Sequence, residues 1–380
     1  MKRSELKSAL MGLKKFRPGR STVPILKAVK VELAGECIAL SATDLEIGAR
    51  VHVPYDGPSF KPFAVKLKSL YRVISKLDAE TVEINDDGEE PSFQFSDGTE
   101  YTGEVYDAED FPDQPENERP RHDIKVSGEE FRKWEDKLCP AIGDEMRMHA
   151  LTGMYFDLNG EEPLAVIGTD GNRLHRYRYT SGDTPPVKVD TGRDMSANFP
   201  KHFVQAVDYM HNTRLDEGND LRISIMENKA VIETPRATYW CRQVEGNFPD
   251  YRKAIPSPSG ETVVEIEETR DWKRAMETVN AVESDLPFSW IRINGNVEIE
   301  HATNSERVRR ELPGEFSGEE EIPVNHEYVG DLCTAFKRKD ESLEMVCDSP
   351  EVGILFRTPE DRFDAVIMPV DGDEVDDMKS

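Results

Sequence analysis

Apolar and polar positions along the 380-residue chain recur with two periods, one helical and one alternating. In KRSELKSALMGLKKF (Lys2–Phe16), Leu6, Leu10, Leu13 and Phe16 fall at i, i+4, i+7 and i+10, which predicts a helix. VKLKSLYRVISKL (Val65–Leu77) predicts a second, with Leu67, Leu70, Tyr71, Ile74 and Leu77 on its buried side. Further helices are expected at Ser127–Ile142, ended by Pro140 and Gly143, and at Pro200–Asn212, with the proline in its first turn. Glu268–Val282 and Asn325–Lys339 complete the set. Strands are expected at Ser21–Leu33 (interrupted by Pro24), Thr81–Ile84, Ser92–Phe95 and Glu100–Tyr106. Leu221–Met226, Ala230–Thr234 and Thr238–Val244 repeat that series, and so do Ser342–Cys347, Val352–Arg357 and Asp361–Ile367.

One pattern occurs three times. LAVIGTDGNRLHRYRY (Leu164–Tyr179) runs from an apolar stretch through Thr169-Asp170 and a turn at Gly171 into an alternating strand. IALSATDLEIGARVHV (Ile38–Val53) places Thr43-Asp44 in the same position, and VEIEHATNSERVRREL (Val297–Leu312) places Thr303-Asn304 there. Each reads as a hairpin whose Asx side chain bonds nearby backbone. A spacing of roughly 130 residues is far longer than a solenoid repeat, so it implies three whole domains of one fold. Each third reads helix, strands, hairpin, helix, strands: an α+β class with two helices packed on antiparallel sheets. The expected domains are 1–121, 122–258 and 259–370, with polar linkers at Gln114–Arg121 and Ser257–Gly260. The remainder, DGDEVDDMKS (371–380), is an acidic tail expected to be disordered.

Composition narrows the function. No apolar run approaches the ~20 residues of a membrane helix, and Met1–Phe16 is basic and amphipathic rather than a signal segment. Five dispersed cysteines without a CxxC argue for reduced thiols in the cytoplasm and against a zinc site. A net charge of −27 argues against nucleic acid, but the charge is uneven. The first predicted helix sets Lys2, Arg3, Lys7, Lys14 and Lys15 against Glu5 alone, and the second carries Lys66, Lys68, Arg72 and Lys76 with no acid. Lys68, Arg72 and Lys76 stack at i, i+4 and i+8. Two readings stand: cations decorating any exposed helix, or a weakly basic surface for a polyanion set in an acidic body. Stacking aromatics and Gly-rich phosphate loops are not obvious on these helices, so base readout is not expected.

The chain lacks GxGxxG, Walker A, HExxH and GxSxG, and its histidines have no metal-ligand spacing. His175 and His301 stand alone on strands. Asp170 shares its turn position with Asp44 and Asn304, which favours a structural role over catalysis. An enzyme acting on a phosphorylated substrate through Asp170 and Arg173 is the competing class, and no cofactor is expected. An apolar set remains: Leu151, Leu174, Pro249, Ile367, Met368, Pro369 and Val370 come from separate places along the chain. They read either as core or, since Pro369-Val370 follows the last strand, as a groove for a partner's peptide.

RSTVPIL (Arg20–Leu26), ATDLEIG (Ala42–Gly48), TDGNRL (Thr169–Leu174), NFPDYRKAIP (Asn247–Pro256) and VIMPV (Val366–Val370) resemble, in order and over nearly the whole chain, the bacterial DNA polymerase III β subunit family of sliding clamps. The resemblance implies a head-to-tail homodimer closing a ring of six domains around duplex DNA, with helices lining the hole. Contacts to DNA would be non-specific and salt-sensitive. By position Arg20 matches the family's DNA-contacting arginine, while Lys7, Lys14, Lys68, Arg72 and Lys76 are added from helical facing. The implied peptide groove comprises Leu151, Thr169, Gly171, Asn172, Arg173, Leu174, Pro249, Lys253, Ala254, Pro350, Val352, Val366, Ile367, Met368, Pro369 and Val370. Implied partners are a DNA polymerase, a separate ATP-driven clamp loader and other proteins carrying a peptide with Gln, Leu and Phe anchors. The ring interface would join Tyr101 of one copy to Ala281 and Val282 of the other. The chain departs from the family at Asn172, where His is frequent, at Lys253, where Arg is common, and at Gly103, where a large apolar residue stands. Its acidic tail suggests either shading of the groove or a passive solvated end. A specialised clamp, phage-borne or paralogous, is the nearer alternative function.

Overall fold

Among the described residues the helical period resolves into α1 (Arg3–Leu13), α2 (Leu67–Ile74), α3 (Gly128–Leu138), α4 (Lys201–His211), α5 (Thr269–Val279) and α6 (His326–Ala335). The computed structural model describes every residue except 87–89, 115–119, 121, 145, 160–161, 180–187, 192–195, 213–219, 258–261, 283, 285–286, 304, 337–341, 350–351, 361 and 371–380. Most of both linkers, the acidic tail, Asn304 and the end of the last expected helix therefore lie outside the described residues.

The α1 stripe is buried as read, with Leu6, Leu10, Leu13 and Phe16 free of solvent, though Lys14–Phe16 tightens into a 3-10 turn. α2 begins later than its period suggests. Val65 and Lys66 belong to the strand Phe63–Lys66, whose ladder with Ala28–Ala34 claims their backbone. Its other end is also shorter, so Lys76 lies past the helix. Ser21–Leu33 divides because Pro24 has a fixed φ and no N–H: it opens a 3-10 turn, Pro24–Lys27, and the strand starts at Ala28. Pro200 is the N-cap of α4, one residue before its first turn. Glu100–Tyr106 breaks at Gly103-Glu104 into Glu100–Thr102 and Val105–Asp107, which enter different sheets. No helix among the described residues is long and apolar enough to cross a membrane.

The chain forms two compact units, Met1–Arg132 with Thr184–Gln243, and Lys133–Asp183 with Val244–Ser380. In the first, a ten-stranded antiparallel sheet runs Lys188–Thr191, His122–Ser127, Asp220–Ile225, Lys229–Glu233, Ala237–Arg242, Ile47–Pro54, Cys37–Thr43, Ala28–Ala34, Phe63–Lys66, Val105–Asp107. A three-stranded sheet adds Val82–Asn85, Ser92–Phe95 and Glu100–Thr102. α1 packs between α2 and α4, so closely that a Cβ at Gly12 would collide with the Met210 thioether.

In the second unit Gly153–Asp157, Leu164–Thr169, Arg173–Tyr179, Phe363–Ile367, Ile354–Arg357, Leu343–Cys347, Thr262–Ile266 and Glu315–Ser317 are successive neighbours in a large sheet. A four-stranded sheet runs Arg307–Leu312, Val297–Ala302, Phe288–Ile293, Glu320–Asn325. α5 and α6 approach closely at Gly330, where a Cβ would stand 3.3 Å from Met276 Cβ. Each large sheet thus joins strands from two consecutive thirds: Ile47–Pro54 pairs with Ala237–Arg242, and Arg173–Tyr179 with Phe363–Ile367. The middle third is shared because its strands complete both sheets. The fold is α+β, three similar domains with a helix pair and antiparallel strands in each third.

Candidate partner groove and basic helix face

The hairpin tip that organises the second unit is held by its own side chains. Thr169 Oγ1 donates to Arg173 O at 2.6 Å and accepts the Gly171 N–H at 3.1 Å. Asp170 Oδ1 accepts the N–H groups of Asn172 and Arg173, both at 3.0 Å, and Oδ2 accepts Arg173 Nε at 2.9 Å. The first hairpin repeats the scheme: Thr43 Oγ1 binds Ile47 O at 2.8 Å, and Asp44 Oδ1 accepts the N–H groups of Glu46 and Ile47. In both tips the residue after the aspartate is left-handed, Gly171 at φ 97° and Leu45 at φ 83°. With both oxygens engaged in the turn, Asp170 holds the tip in shape.

Below the tip lies an apolar floor. Leu174 pairs with Val366, and Val366 with Leu355. These three, with Ala165, Ile167 and Tyr251, form one buried cluster against which Tyr155, Phe248 and Ile255 pack. NFPDYRKAIP is anchored beside it: Phe248 stacks on Tyr155 with centroids 4.1 Å apart, and Tyr251 Oη donates to Asp157 at 2.8 Å. Arg252 also binds that carboxylate, which is 3% exposed and so needs its partners.

The rim is exposed. Met368, Val352 and Met148 keep 42%, 44% and 54% of their surface, large values for apolar side chains gathered at one place. A Cβ at Gly353 would stand 2.7 Å from Val366 Cγ1 and 3.3 Å from Met368 Sδ, with Ala254 O at 4.0 Å. At the other end, a Cβ on Gly171 would stand 3.6 Å from Met148 Cε and 3.7 Å from a Leu151 methyl. The Met368 N–H donates to Asn172 O at 2.9 Å, tying VIMPV to the hairpin, and Val370 N–H donates to Pro323 O.

The expected groove residues sort by place. Leu151, Thr169, Leu174 and Val366 are buried as floor and wall, while Gly171, Asn172, Pro249, Ala254, Val352 and Met368 are exposed. Ile367 is fully buried and alternates with Val366 onto the opposite sheet face, so it belongs to the core rather than the floor. Lys253 points to solvent in an ion pair with Asp250 at 3.2 Å. Pro369 and Val370 are half-buried, and Pro350 lies outside the described residues. Arg173 is a brace: Nη1 bonds Asp331 at 2.7 Å and its guanidinium lies 4.2 Å over the Tyr328 ring. Tyr328, whose phenol burial raises and whose hydroxyl meets the Asn172 side chain, borders the candidate groove and is absent from the sequence expectation, as are Met148 and Gly353. A half-exposed Tyr early in a helix carries no period that would flag it. Met148 sits in a kinked 3-10 segment, Met146–Leu151, without periodicity.

In the first unit, Lys68, Arg72, Lys76 and Arg20 are exposed, and Lys7 and Lys14 are half-buried. Among the described residues none of these six forms an ion pair, unlike the arginines of the second unit. Lys14 Nζ lies 4.2 Å over the Tyr71 ring and Lys15 Nζ 4.9 Å over Tyr209, so aromatic rings do lie on this helix face, as cation supports. Tyr71 is half-exposed for that reason rather than buried.

At the strand edges, Tyr101 is half-buried against Phe93, and its ring covers Gly103: a Cβ there would stand 2.6 Å from Tyr101 Oη and 2.9 Å from Val65 Cγ2. The glycine therefore makes room for the tyrosine. Ala281 is exposed and Val282 half-buried, just past the end of α5.

This fold, with its floor between a hairpin and the last strand, is that of sliding clamps. Residues 1–115 match the model of the DNA polymerase III beta subunit N-terminal domain. The beta sliding clamp of Escherichia coli K12 is 26% identical over 340 residues, covering 87% of this chain and 88% of that one. The beta sliding clamp of Caulobacter vibrioides NA1000 is 26% identical over 269 residues, 67% and 68% of the two chains. The solved DnaN sliding clamp of Pseudomonas aeruginosa, bound to griselimycin, superposes with a TM-score of 0.86 at 18% identity over 98% of both chains. The clamp of Bacillus subtilis gives 0.85 at 17%, again over 98% of both. Residues 1–115 thus match the DNA polymerase III β subunit family, the aligned relatives are beta sliding clamps, and the chain as a whole has the fold of solved clamps.

Proposed function

We propose that this protein is a DNA sliding clamp: two copies close head-to-tail around duplex DNA and tether a polymerase through the groove of the second unit. The observation that carries the reading is the convergence of TDGNRL, NFPDYRK and VIMPV on one apolar floor with an exposed methionine-rich rim. That is the geometry of a site for a short peptide with apolar anchors. The tethered proteins would be a DNA polymerase, a clamp loader and others bearing such a peptide, in the cytoplasm. The chain itself performs no chemistry; its contribution is to hold a partner on DNA.

Ring closure has two unpaired edges to use. Glu100–Thr102 and Arg307–Leu312 each have a single sheet neighbour. The first is acidic, with Glu100 and nearby Glu104, and the second basic, with Arg307, Arg309 and Arg310. Opposite charge on two edges of one chain suits a second copy of itself, with Tyr101 set against Ala281 and Val282. The domains would be 1–121, 122–258 and 259–370. Arg20, Lys7, Lys14, Lys68, Arg72 and Lys76 would face phosphates, weakly enough for sliding.

The decisive measurement is retention. Loaded protein should stay on nicked circular DNA and leave when the circle is cut. Equal retention on circular and linear DNA would refute a topological tether.

A further inference from the structure

The two units repeat a strand register that the partner groove depends on. In the second unit Thr169 pairs with Leu174, Leu174 with Val366 and Val366 with Leu355. In the first, Thr43 pairs with Gly48, Gly48 with Trp240 and Trp240 with Val231. The backbone tie beside the groove repeats too: Met368 N–H to Asn172 O at 2.9 Å, and Arg242 N–H to Glu46 O at 2.8 Å. Register therefore puts a second copy of the groove floor at Gly48 and Trp240.

In that copy the side chains are redistributed. Glycine stands where Leu174 stands, and tryptophan where Val366 stands. The indole lies directly on the glycine: a Cβ at Gly48 would fall 2.6 Å from Trp240 Nε1, and nearer still to two ring carbons. Trp240 is 5% exposed and packs with Met226 and Val231, so the ground a peptide side chain would need is already covered. An occupant attached to the chain is present at an effective concentration that a free peptide does not reach.

We propose that Trp240 is the residue that restricts each chain to a single partner groove. The first unit holds a closed copy of the site, filled by this chain's own indole, and the second unit holds the open one. The inference rests on the groove reading of the second unit. It limits a ring of two chains to two tethered partners, and gives Gly48 its reason: any side chain there would expel the plug.

The test uses the full-length protein and a fluorescein-labelled peptide with Gln, Leu and Phe anchors, with stoichiometry read by calorimetry. Wild type should bind one peptide per chain, and Met368→Ala with Pro369→Ala should remove all binding. The pair Gly48→Leu with Trp240→Val installs the combination found at positions 174 and 366 and nearly conserves volume, so the core is refilled. This variant should bind two peptides per chain, the second more weakly because Ser41 stands where the floor has Ile167. That second site should survive Met368→Ala with Pro369→Ala. A folded double variant that still binds one peptide overturns the proposal. Should Trp240 variants not fold, residual peptide binding after loss of Met368 and Pro369 overturns it as well, since the first unit's copy would then be open. Wild type binding no peptide would instead refute the groove itself.

Discussion

Replacing Glu300 by Gln isolates one ion-pair cluster on the four-stranded sheet. Glu300 is 2% exposed and accepts hydrogen bonds from Arg292, Arg307 and Arg309 at 2.8–2.9 Å. Burial alone would push its carboxyl up, but the three arginines more than reverse that and hold it at about 2, against 4.5 for a free side chain. At 1.36 kcal/mol per pH unit this difference corresponds to about 3 kcal/mol of folding stability. Arg307 and Arg309 are 63% and 53% exposed, so screening by water reduces it to about 2 kcal/mol. Because the folded-state value is depressed, the contribution is complete above pH 4.5 and disappears as the pH falls through 2. Urea unfolding of wild type and Glu300→Gln should therefore differ by about 2 kcal/mol at pH 7 and by less than half of that at pH 3. Comparing the two proteins cancels the titration of every other carboxylate. Equal stability at pH 7, or a difference that persists unchanged to pH 3, would refute the reasoning. The cluster also positions Arg307 and Arg309 on the edge strand proposed to meet a second copy.

Two further expectations concern partners. Met368→Ala with Pro369→Ala should abolish binding of the anchored peptide, while sedimentation still reports the wild-type mass; loss of both together would mean that the residues serve the fold. Gly103→Ala should drive the Tyr101 ring from its place over position 103 and weaken association of the two chains, read as a rise in the monomer fraction on dilution.

How far the sequence reaches can be seen at particular residues. The stripe Leu6, Leu10, Leu13, Phe16 and the thrice-repeated Thr-Asx turn were legible because each depends on neighbours within a few positions, where period and turn chemistry act. The same local signals located the apolar set around Leu174 and Met368. Tertiary structure alone decided which of these residues face one another. Val366 and Ile367 are equally apolar, and only the pleat and the pairing with Arg173–Tyr179 put the first on the groove floor and the second in the core. Arg173 reads as a binding residue until Asp331 and Tyr328, more than 150 positions away, take its guanidinium. Val65 and Lys66 fit the helical period and were taken by a ladder. The three hairpins look alike as sequence, yet Leu174 and Gly48 differ in consequence because the strand across from each brings a valine in one case and an indole in the other. Short-range periodicity determined the elements of this chain, and long-range strand pairing, which no local pattern encodes, determined which repeat carries the apolar floor with an exposed rim.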